Sequence, residues 1–581
     1  MREKKATGLP SVDKPWLKYY PNFFLKKIQV PECSLTQYLQ RNMPNLNAPA
    51  IHYYGTEMTW AQIFAASTKI AKALIAVGYG VGDQVPVFLR SVPEFIPILI
   101  AVERIGASLL IRDNEPHENA EAIRKAGADV LITHDFLSQE ELNVYLTTTN
   151  LKKVVVLSPL NGCNRWDMPK YIRKSLYSLY DHECAHGDAV ITWDEFMDMG
   201  KDIVDVDAPI DIDRPLFRCY TSGSTGPSKQ VIHSARTIIG VLSQMNFYGG
   251  RASARPTWMV TILPPALVAV VISMLLLPLV SKKLLIMNPW VAPEDLDLEC
   301  MRYRPNNWPM IPMFVDILMH SDRIPEDYDI SHLTALGAGA EACNNTQLKH
   351  VQDFLAKHNS KVPFTTGYGS SEAGSNLTFH VSGRAAGDCN MGCPMPLTTI
   401  SIFKPGTTEE LGYNTSGEIC VTGPGIMLGY DNPEATAKAL MVHEDGKTWL
   451  HMGDTGYMDK DGHVFVLGRG AGNKRYGGGF LDILPMENLL ADANIPGIED
   501  QFFVNNPNVD HPGFLVPYLY VVLEDGYTVE DIRSAVNTVL PKHMVPAEII
   551  QLPSRPYWHF KTNRIGLTQP VRDIIEEAAC V

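Results

Sequence analysis

A basic excess is missing from this chain. Lys and Arg together number 50 against 64 Asp and Glu, which leaves a net charge of −14. No long basic run occurs, so the sustained positive field that a nucleic-acid partner requires is absent. Cysteine is sparse, with ten in 581 residues, and the ten are scattered through apolar stretches. That is the pattern of reduced, cytoplasmic thiols and not of a disulfide framework. The closest pair, Cys389 and Cys393, has neither a second pair nor a histidine at zinc-ligand spacing. The charged start Met1-Arg2-Glu3-Lys4-Lys5 is followed by no apolar core, so it does not read as a secretory signal. Internal repeats and low-complexity tracts are also lacking. One uncharged run, Met259–Val280, invites a membrane assignment, but Pro264, Pro265 and Pro278 interrupt it. The uninterrupted part, Ala266–Leu277, spans about 18 Å as a helix, against roughly 30 Å of hydrocarbon. The expectation is a buried strand at Trp258–Leu263, a buried helix and a strand at Lys283–Met287, with no transmembrane span.

What is present is ordinary globular material, 45% hydrophobic and 20% charged, in a chain too long for one core. Thr59 can cap a helix whose apolar positions Ile63, Phe64, Ile70, Leu74 and Val77 recur at helical spacing up to Gly78. Strand and helix then alternate: a strand at Gln84–Leu89, a helix at Glu94–Ile105, a strand at Ser108–Ile111, a helix at Glu118–Ala126 closed by Gly127, and a strand at Asp129–Thr133. Such alternation predicts βαβ units around parallel sheets, and a second stretch of the kind runs over 237–366, with a strand at Ala335–Gly337 and a helix at Thr346–Leu355. From about residue 392 short strand-like runs, Ile400–Phe403, Gly417–Val421 and His463–Leu467, are separated by turn residues, which suggests a small β-subdomain. A strand at Leu519–Leu523 and helices at Val529–Leu540 and Val571–Ala579 follow, behind a glycine run at Gly468–Gly479 that reads as a hinge or linker. The expected fold is α/β. A lead-in over 1–44 precedes a large domain over 45–469, made of two βαβ-layered subdomains plus a β-rich subdomain at about 392–469. A smaller, mobile α+β domain follows over 470–581.

The chemistry begins at Tyr220-Thr221-Ser222-Gly223-Ser224-Thr225-Gly226-Pro227-Ser228-Lys229. Glycines let backbone N–H groups face a ligand, hydroxyls donate to phosphate oxygens, and Lys229 adds a mobile positive charge. Lys-Ser/Thr does not follow the second glycine, so the stretch is not a P-loop. It closely resembles the phosphate-binding motif of the adenylate-forming superfamily, which holds acyl-CoA synthetases, peptide-synthetase adenylation domains and firefly-type luciferases. Ser228 and Gln230 stand where the family carries proline and glycine, and Val231-Ile232-His233-Ser234 continues the pattern.

Further motifs follow in the family's order. Gly337-Ala338-Gly339-Ala340-Glu341 resembles the adenine-edge segment, which implies nucleotide contacts at Gly339, Ala340 and Glu341. Gly367-Tyr368-Gly369-Ser370-Ser371-Glu372 resembles the segment in which a tyrosine stacks on adenine, a hydroxyl residue meets the α-phosphate and a glutamate holds Mg²⁺. That implies roles for Tyr368, Gly369, Ser371 and, at the metal, Glu372. Ser416–Pro424 and Leu428-Gly429-Tyr430 match motifs that are mainly architectural. His451-Met452-Gly453-Asp454-Thr455-Gly456 and Gly468-Arg469 resemble the ribose-binding T-G-D and G-R motifs, which gives Asp454 and Arg469 to ribose.

Two departures stand out. Ala471 occupies the position of the family's hinge aspartate or lysine. The family's C-terminal lysine falls at Arg564 by local context, Thr562-Asn563-Arg564-Ile565, and at Lys561 by spacing from Pro546. With Lys561 preferred, the resemblance implies Lys561, Glu372 and Lys229 as the catalytic set. No acid lies in Leu263–Ala269, where amino-acid-activating relatives usually carry an aspartate, so an apolar fatty, branched or aryl acid is expected. The resemblance therefore implies an acid–thiol ligase using ATP and Mg²⁺. The thiol is CoA or the phosphopantetheine of a carrier protein, and a non-catalytic nucleotide or acyl-adenylate binder stands as the alternative.

Overall fold

The structure is a computed structural model. It describes residues 6–20, 25, 28–113, 115–164, 168–221, 228–246, 256–339, 341–381, 387–470, 473–558 and 561–573. Two large sheets organise the first two-thirds of the chain. One has eight strands, in the order Gly429–Tyr430, Gln230–Ser234, Pro215–Tyr220, Ser108–Leu110, Gln84–Phe88, Val130–His134, Lys153–Leu157 and Val190–Thr192. It is parallel from Pro215–Tyr220 to Val190–Thr192 and antiparallel at the Gln230–Ser234 and Gly429–Tyr430 edge. The other has seven strands, in the order Phe364–Thr366, Ala335–Ala338, Asn307–Met310, Thr257–Thr261, Leu284–Asn288, Pro49–Tyr53 and Thr56–Thr59. Its pairings are parallel except for the final hairpin. A third sheet, built on Thr399–Phe403, Gly417–Thr422, Leu440–Val442, Thr448–Met458 and Val464–Arg469, is antiparallel throughout. The fold is thus α/β, with a large N-terminal domain and a smaller C-terminal one.

The local signals act as their chemistry requires. Thr59 closes a capping box with Gln62 ahead of the Trp60–Ala76 helix, and Gly127 ends the Pro116–Ala126 helix in the left-handed conformation. In the apolar run, strands at Thr257–Thr261 and Leu284–Asn288 flank a buried helix that continues through Pro278 to Val280. Pro278 therefore does not end the helix, contrary to the sequence expectation. The turns before it are π-helical over Val270–Leu276, which changes the hydrogen-bond ladder before the missing N–H of proline. Among the described residues no helix is long and apolar enough to cross a membrane. None of the nine described cysteines is in a disulfide.

The chain beyond Leu481 has a core of its own, with Met486, Leu490, Phe503, Leu519, Val521, Ile532 and Val536 at its centre. The three-stranded sheet Ile498–Pro507, Leu515–Leu523 and Glu548–Gln551 carries the Ile483–Ala493 and Val529–Val539 helices. The expected Val571–Ala579 helix does not start where the sequence put it. Val571 forms a parallel bridge with Asn508, and Asp573 is held by Arg475, while 574–579 lie outside the described residues. Burial of Val571 against Phe502, Val504 and Tyr520 outweighs the local helical pattern. The glycine run is not a free linker where it is described. Lys474 and Phe480 bridge across a tight turn, and the buried Arg475 guanidinium binds Asp573 and the carbonyls of His543 and Val545.

Candidate active site

The described ends of the hydroxyl-rich stretch, Thr221 and Ser228–Lys229, sit at the end of the antiparallel pair Pro215–Tyr220 and Gln230–Ser234. They are tied by Thr221 N to Lys229 O at 2.9 Å, Lys229 N to Thr221 Oγ1 at 3.0 Å and Ser228 Oγ to Thr221 O at 2.6 Å. Ser228, in place of the family's proline, thus ties the loop with its side chain. Gln230 is buried at the base, where Arg218 donates to its Oε1 and its Nε2 donates to the Tyr220 hydroxyl. The Arg112 guanidinium covers the Tyr220 ring, 4.0 Å from its centroid. Ser222, Gly223, Ser224, Thr225 and Gly226 lie outside the described residues, as do Ala340 and Ala471.

Strand pairing brings the next motif against this hairpin. Gly429–Tyr430 pairs with Ile232 and Val231 on the sheet edge. There the Tyr430 hydroxyl donates to Glu372 Oε1 at 2.8 Å, while Lys229 Nζ lies 5.0 Å from the Tyr430 ring centroid. One aromatic side chain therefore orients the candidate metal carboxylate and meets the loop lysine. The neighbouring His233 is buried and lowered to about 4, so it is neutral and donates Nε2–H to Ser371 O at 2.8 Å. Gly369 is explained by its own hairpin, because a Cβ there would sit 2.0 Å from Ser375 O.

Asp454 and Arg469 are cross-strand partners in the antiparallel sheet, so register alone sets them face to face. Arg469 Nη1 donates to Asp454 Oδ1 at 3.1 Å and the Tyr368 hydroxyl donates to Oδ2 at 2.7 Å. Burial raises the Asp454 carboxyl, with Arg469 and Tyr368 opposing. The same strand carries His451, whose Nδ1 contacts Glu418 Oε2 at 3.0 Å and Cys420 Sγ at 3.4 Å, and whose Nε2 lies 3.0 Å from His443 Nε2. This is the one grouping of three metal-type ligands among the described residues.

The two candidate C-terminal cations separate in space. Lys561 is partly buried on the Lys561–Thr562 strand, and its ammonium is depressed by burial and then by Arg469. The carboxylates of Glu341, Asp454 and Glu372 act on it in the opposite sense. The Lys561 backbone pairs with Trp558, and its ammonium has no hydrogen-bond or ion-pair partner among the described residues. Arg564 instead donates to Glu341 Oε1 at 2.9 Å, to Glu487 Oε1 at 2.8 Å and to Phe503 O at 3.1 Å. Glu341, expected at the adenine edge, thus turns its carboxylate to the C-terminal segment, and Gly339 donates its N–H to Met310 O. Tyr430 and the Glu341–Arg564 contact were not recognised from sequence. Tyr430 was visible there, in Leu428-Gly429-Tyr430, but its phenol could be assigned to Glu372 only across 58 residues of chain.

Glu372 suits a divalent cation: one oxygen is fixed by Tyr430, and the other accepts no hydrogen bond from a described residue. Mg²⁺ characteristically takes one or two carboxylates alongside substrate phosphates.

Comparison with known proteins matches the family model described as AMP-binding enzyme over residues 40–431. A 4-coumarate–CoA ligase 3 of Oryza sativa subsp. japonica is 27% identical over 490 residues, covering 81% of this chain and 79% of that protein. A long-chain-fatty-acid–CoA ligase of Bacillus subtilis (strain 168) is 26% identical over 490 residues, covering 78% and 80%. Among solved structures, ATP-bound MatB from Rhodopseudomonas palustris superimposes with a TM-score of 0.73 at 19% identity, over 92% of this chain and 98% of that one, a likeness of fold.

Proposed function

The chain belongs to the AMP-binding enzyme family, and on that premise we propose that it is an ATP-dependent acid–thiol ligase forming an acyl-adenylate and then a thioester, with CoA as the thiol. The observation that carries this reading is that residues of separate motifs are linked: Tyr430 joins Lys229 to Glu372, Arg469 pairs with Asp454, and Lys561 interacts electrostatically with Arg469, Asp454 and Glu372. In this reading Asp454 receives the ribose hydroxyls and Arg469 fixes that carboxylate. The Thr221–Lys229 loop receives the phosphates. A Mg²⁺ ion on Glu372 would offset phosphate charge. A carboxylate oxygen of the acid attacks the α-phosphorus and pyrophosphate leaves. Lys561 supplies positive charge to the acid and the α-phosphate as negative charge builds there. The thiol sulfur, having lost its proton, then attacks the acyl carbon and AMP leaves.

An apolar acid is supported by the acid-free segment Leu263–Ala269, by the buried helix that follows it and by the substrates that name the two relatives. A cytoplasmic setting is in keeping with the unpaired cysteines. The test is pyrophosphate release with a panel of fatty, branched and aryl acids, using hydroxylamine, CoA or a pantetheinylated carrier protein as acceptor. Release with thioester on CoA is the expected result. No release with any acid refutes the ligase assignment, and thioester only on the carrier protein refutes CoA.

A further inference from the structure

Local motif context places the reacting cation at 564, yet each of the three nitrogens of Arg564 already holds an acceptor. Nε is on Phe503 O, Nη2 on Glu487 and Nη1 on Glu341. The first two acceptors are in the C-terminal domain: Phe503 lies in its core and Glu487 on its Ile483–Ala493 helix. Glu341 belongs to the other body, directly beyond the Ala335–Ala338 strand of the seven-stranded sheet. Its second oxygen accepts Thr562 N at 3.2 Å, from the residue after Lys561. Both carboxylate oxygens of Glu341 thus grip the segment that bears Lys561, one through a backbone amide and one through Arg564. The pair is largely shielded, with the Glu341 side chain 13% and the Arg564 side chain 26% exposed. Loss of Arg564 would leave the partly buried Glu341 carboxylate without its guanidinium partner, whereas loss of Glu341 would leave Arg564 still paired with Glu487.

We propose that Arg564 and Glu341 form a positioning pair that holds Lys561 at the reaction centre. The inference rests on the ligase reading for its kinetic consequence but not for its geometry. The three acceptors are met from three separate nitrogens of one planar fork, an arrangement that an ammonium at 564, with its donors on a single atom, does not reproduce. Catalysis of the first half-reaction depends on placing the Lys561 charge to within fractions of an ångström, and a displacement of about 1 Å costs on the order of a hundredfold.

The test uses the full chain with Arg564→Gln, Arg564→Lys, Glu341→Gln and Lys561→Met. ATP–pyrophosphate exchange reports acyl-adenylate formation, and thioester formation from synthetic acyl-AMP and CoA reports the second half. Arg564→Gln is expected to lower the kcat of exchange roughly 10- to 100-fold, with the KM for ATP and the thioester step changed less than about threefold. Glu341→Gln should move in the same direction, and Arg564→Lys should recover only part of the loss. Equal losses in both halves mean a merely structural role and overturn the proposal. So does a loss confined to the KM for ATP with Glu341→Gln, which would return that residue to the adenine edge. Full recovery by Arg564→Lys would make 564 the reacting position. A readout independent of turnover is the rate of reductive methylation of Lys561, followed by mass spectrometry. It is expected to rise several-fold in Arg564→Gln, and an unchanged rate overturns the positioning claim whether or not the enzyme turns over.

Discussion

Asparagine at position 454 alters the nucleotide end of the site with almost no change of shape, and the consequence can be worked from the geometry. An ionised carboxylate offers about four acceptor positions, two on each oxygen. Arg469 occupies one on Oδ1 and Tyr368 one on Oδ2, which leaves one on each oxygen for the two ribose hydroxyls. Asp454→Asn replaces one oxygen by an NH₂ group. That group offers nothing to ribose and points a donor at either the Tyr368 hydroxyl or the Arg469 guanidinium. One ribose hydrogen bond disappears and the other loses its charge. A hydrogen bond to a charged group contributes about 1.5–3 kcal/mol, so ATP affinity should fall roughly 10- to 150-fold. Calorimetric titration with ATP, 2′-deoxyATP and 3′-deoxyATP gives the discriminating measurement. Wild-type protein should penalise each deoxynucleotide, and Asp454→Asn should lose most of that discrimination. An affinity for ATP within about threefold of wild type would refute the two-oxygen account. Wild-type indifference to the missing hydroxyls would refute it equally.

Lys561→Met should abolish pyrophosphate exchange while leaving ATP binding nearly intact; retained exchange would remove Lys561 from the reaction. Because burial and then Arg469 depress Lys561, wild-type exchange should fall with rising pH before the ordinary lysine range near 10.4, and the remaining exchange of a charge-retaining Lys561→Arg variant should lack that limb. Glu299 is wholly buried and raised from 4.5 to about 7, chiefly by loss of solvent. Its folded form therefore holds a proton more tightly than its unfolded form. Its contribution to stability is complete below about pH 4.5 and is lost as pH rises to about 7, a cost on the order of 3 kcal/mol. Glu299→Gln should flatten the fall in unfolding midpoint between pH 5 and pH 8 that wild type shows, and an unchanged fall would exclude Glu299 as its source. Gly479 has φ +87°, and a Cβ there would lie 2.2 Å from the His543 ring. Gly479→Ala should destabilise the C-terminal domain by about 1–3 kcal/mol, read by hydrogen exchange of its sheet amides; unchanged protection would show that the turn can relax.

Much of the architecture was legible because it follows from neighbours along the chain. The Thr59 cap, the Gly127 stop and the apolar strands flanking the buried helix depend on spacings of a few residues, and the structure follows them within a residue or two at most ends. Failures occur where distant chain intervenes. Val571 pairs with Asn508, and the helix through Pro278 is re-bonded as a π-helix inside a fully packed core.

The candidate site divides along the same line. The sequence alone determined the residue types, their order and the family, because phosphate, ribose and metal each demand particular groups at short spacing. It could name Lys561 and Arg564 as rivals but could not separate them, since they lie three residues apart and carry the same charge. Tertiary structure decided the partners of the guanidinium, which Glu341 and Glu487 engage, while the Lys561 ammonium feels the charges of Arg469, Glu341, Asp454 and Glu372. It also decided that Tyr430, outwardly a β-strand residue, orients Glu372. Hydrogen-bond partners hundreds of residues apart are fixed by sheet register and domain packing, and no local pattern encodes those distances.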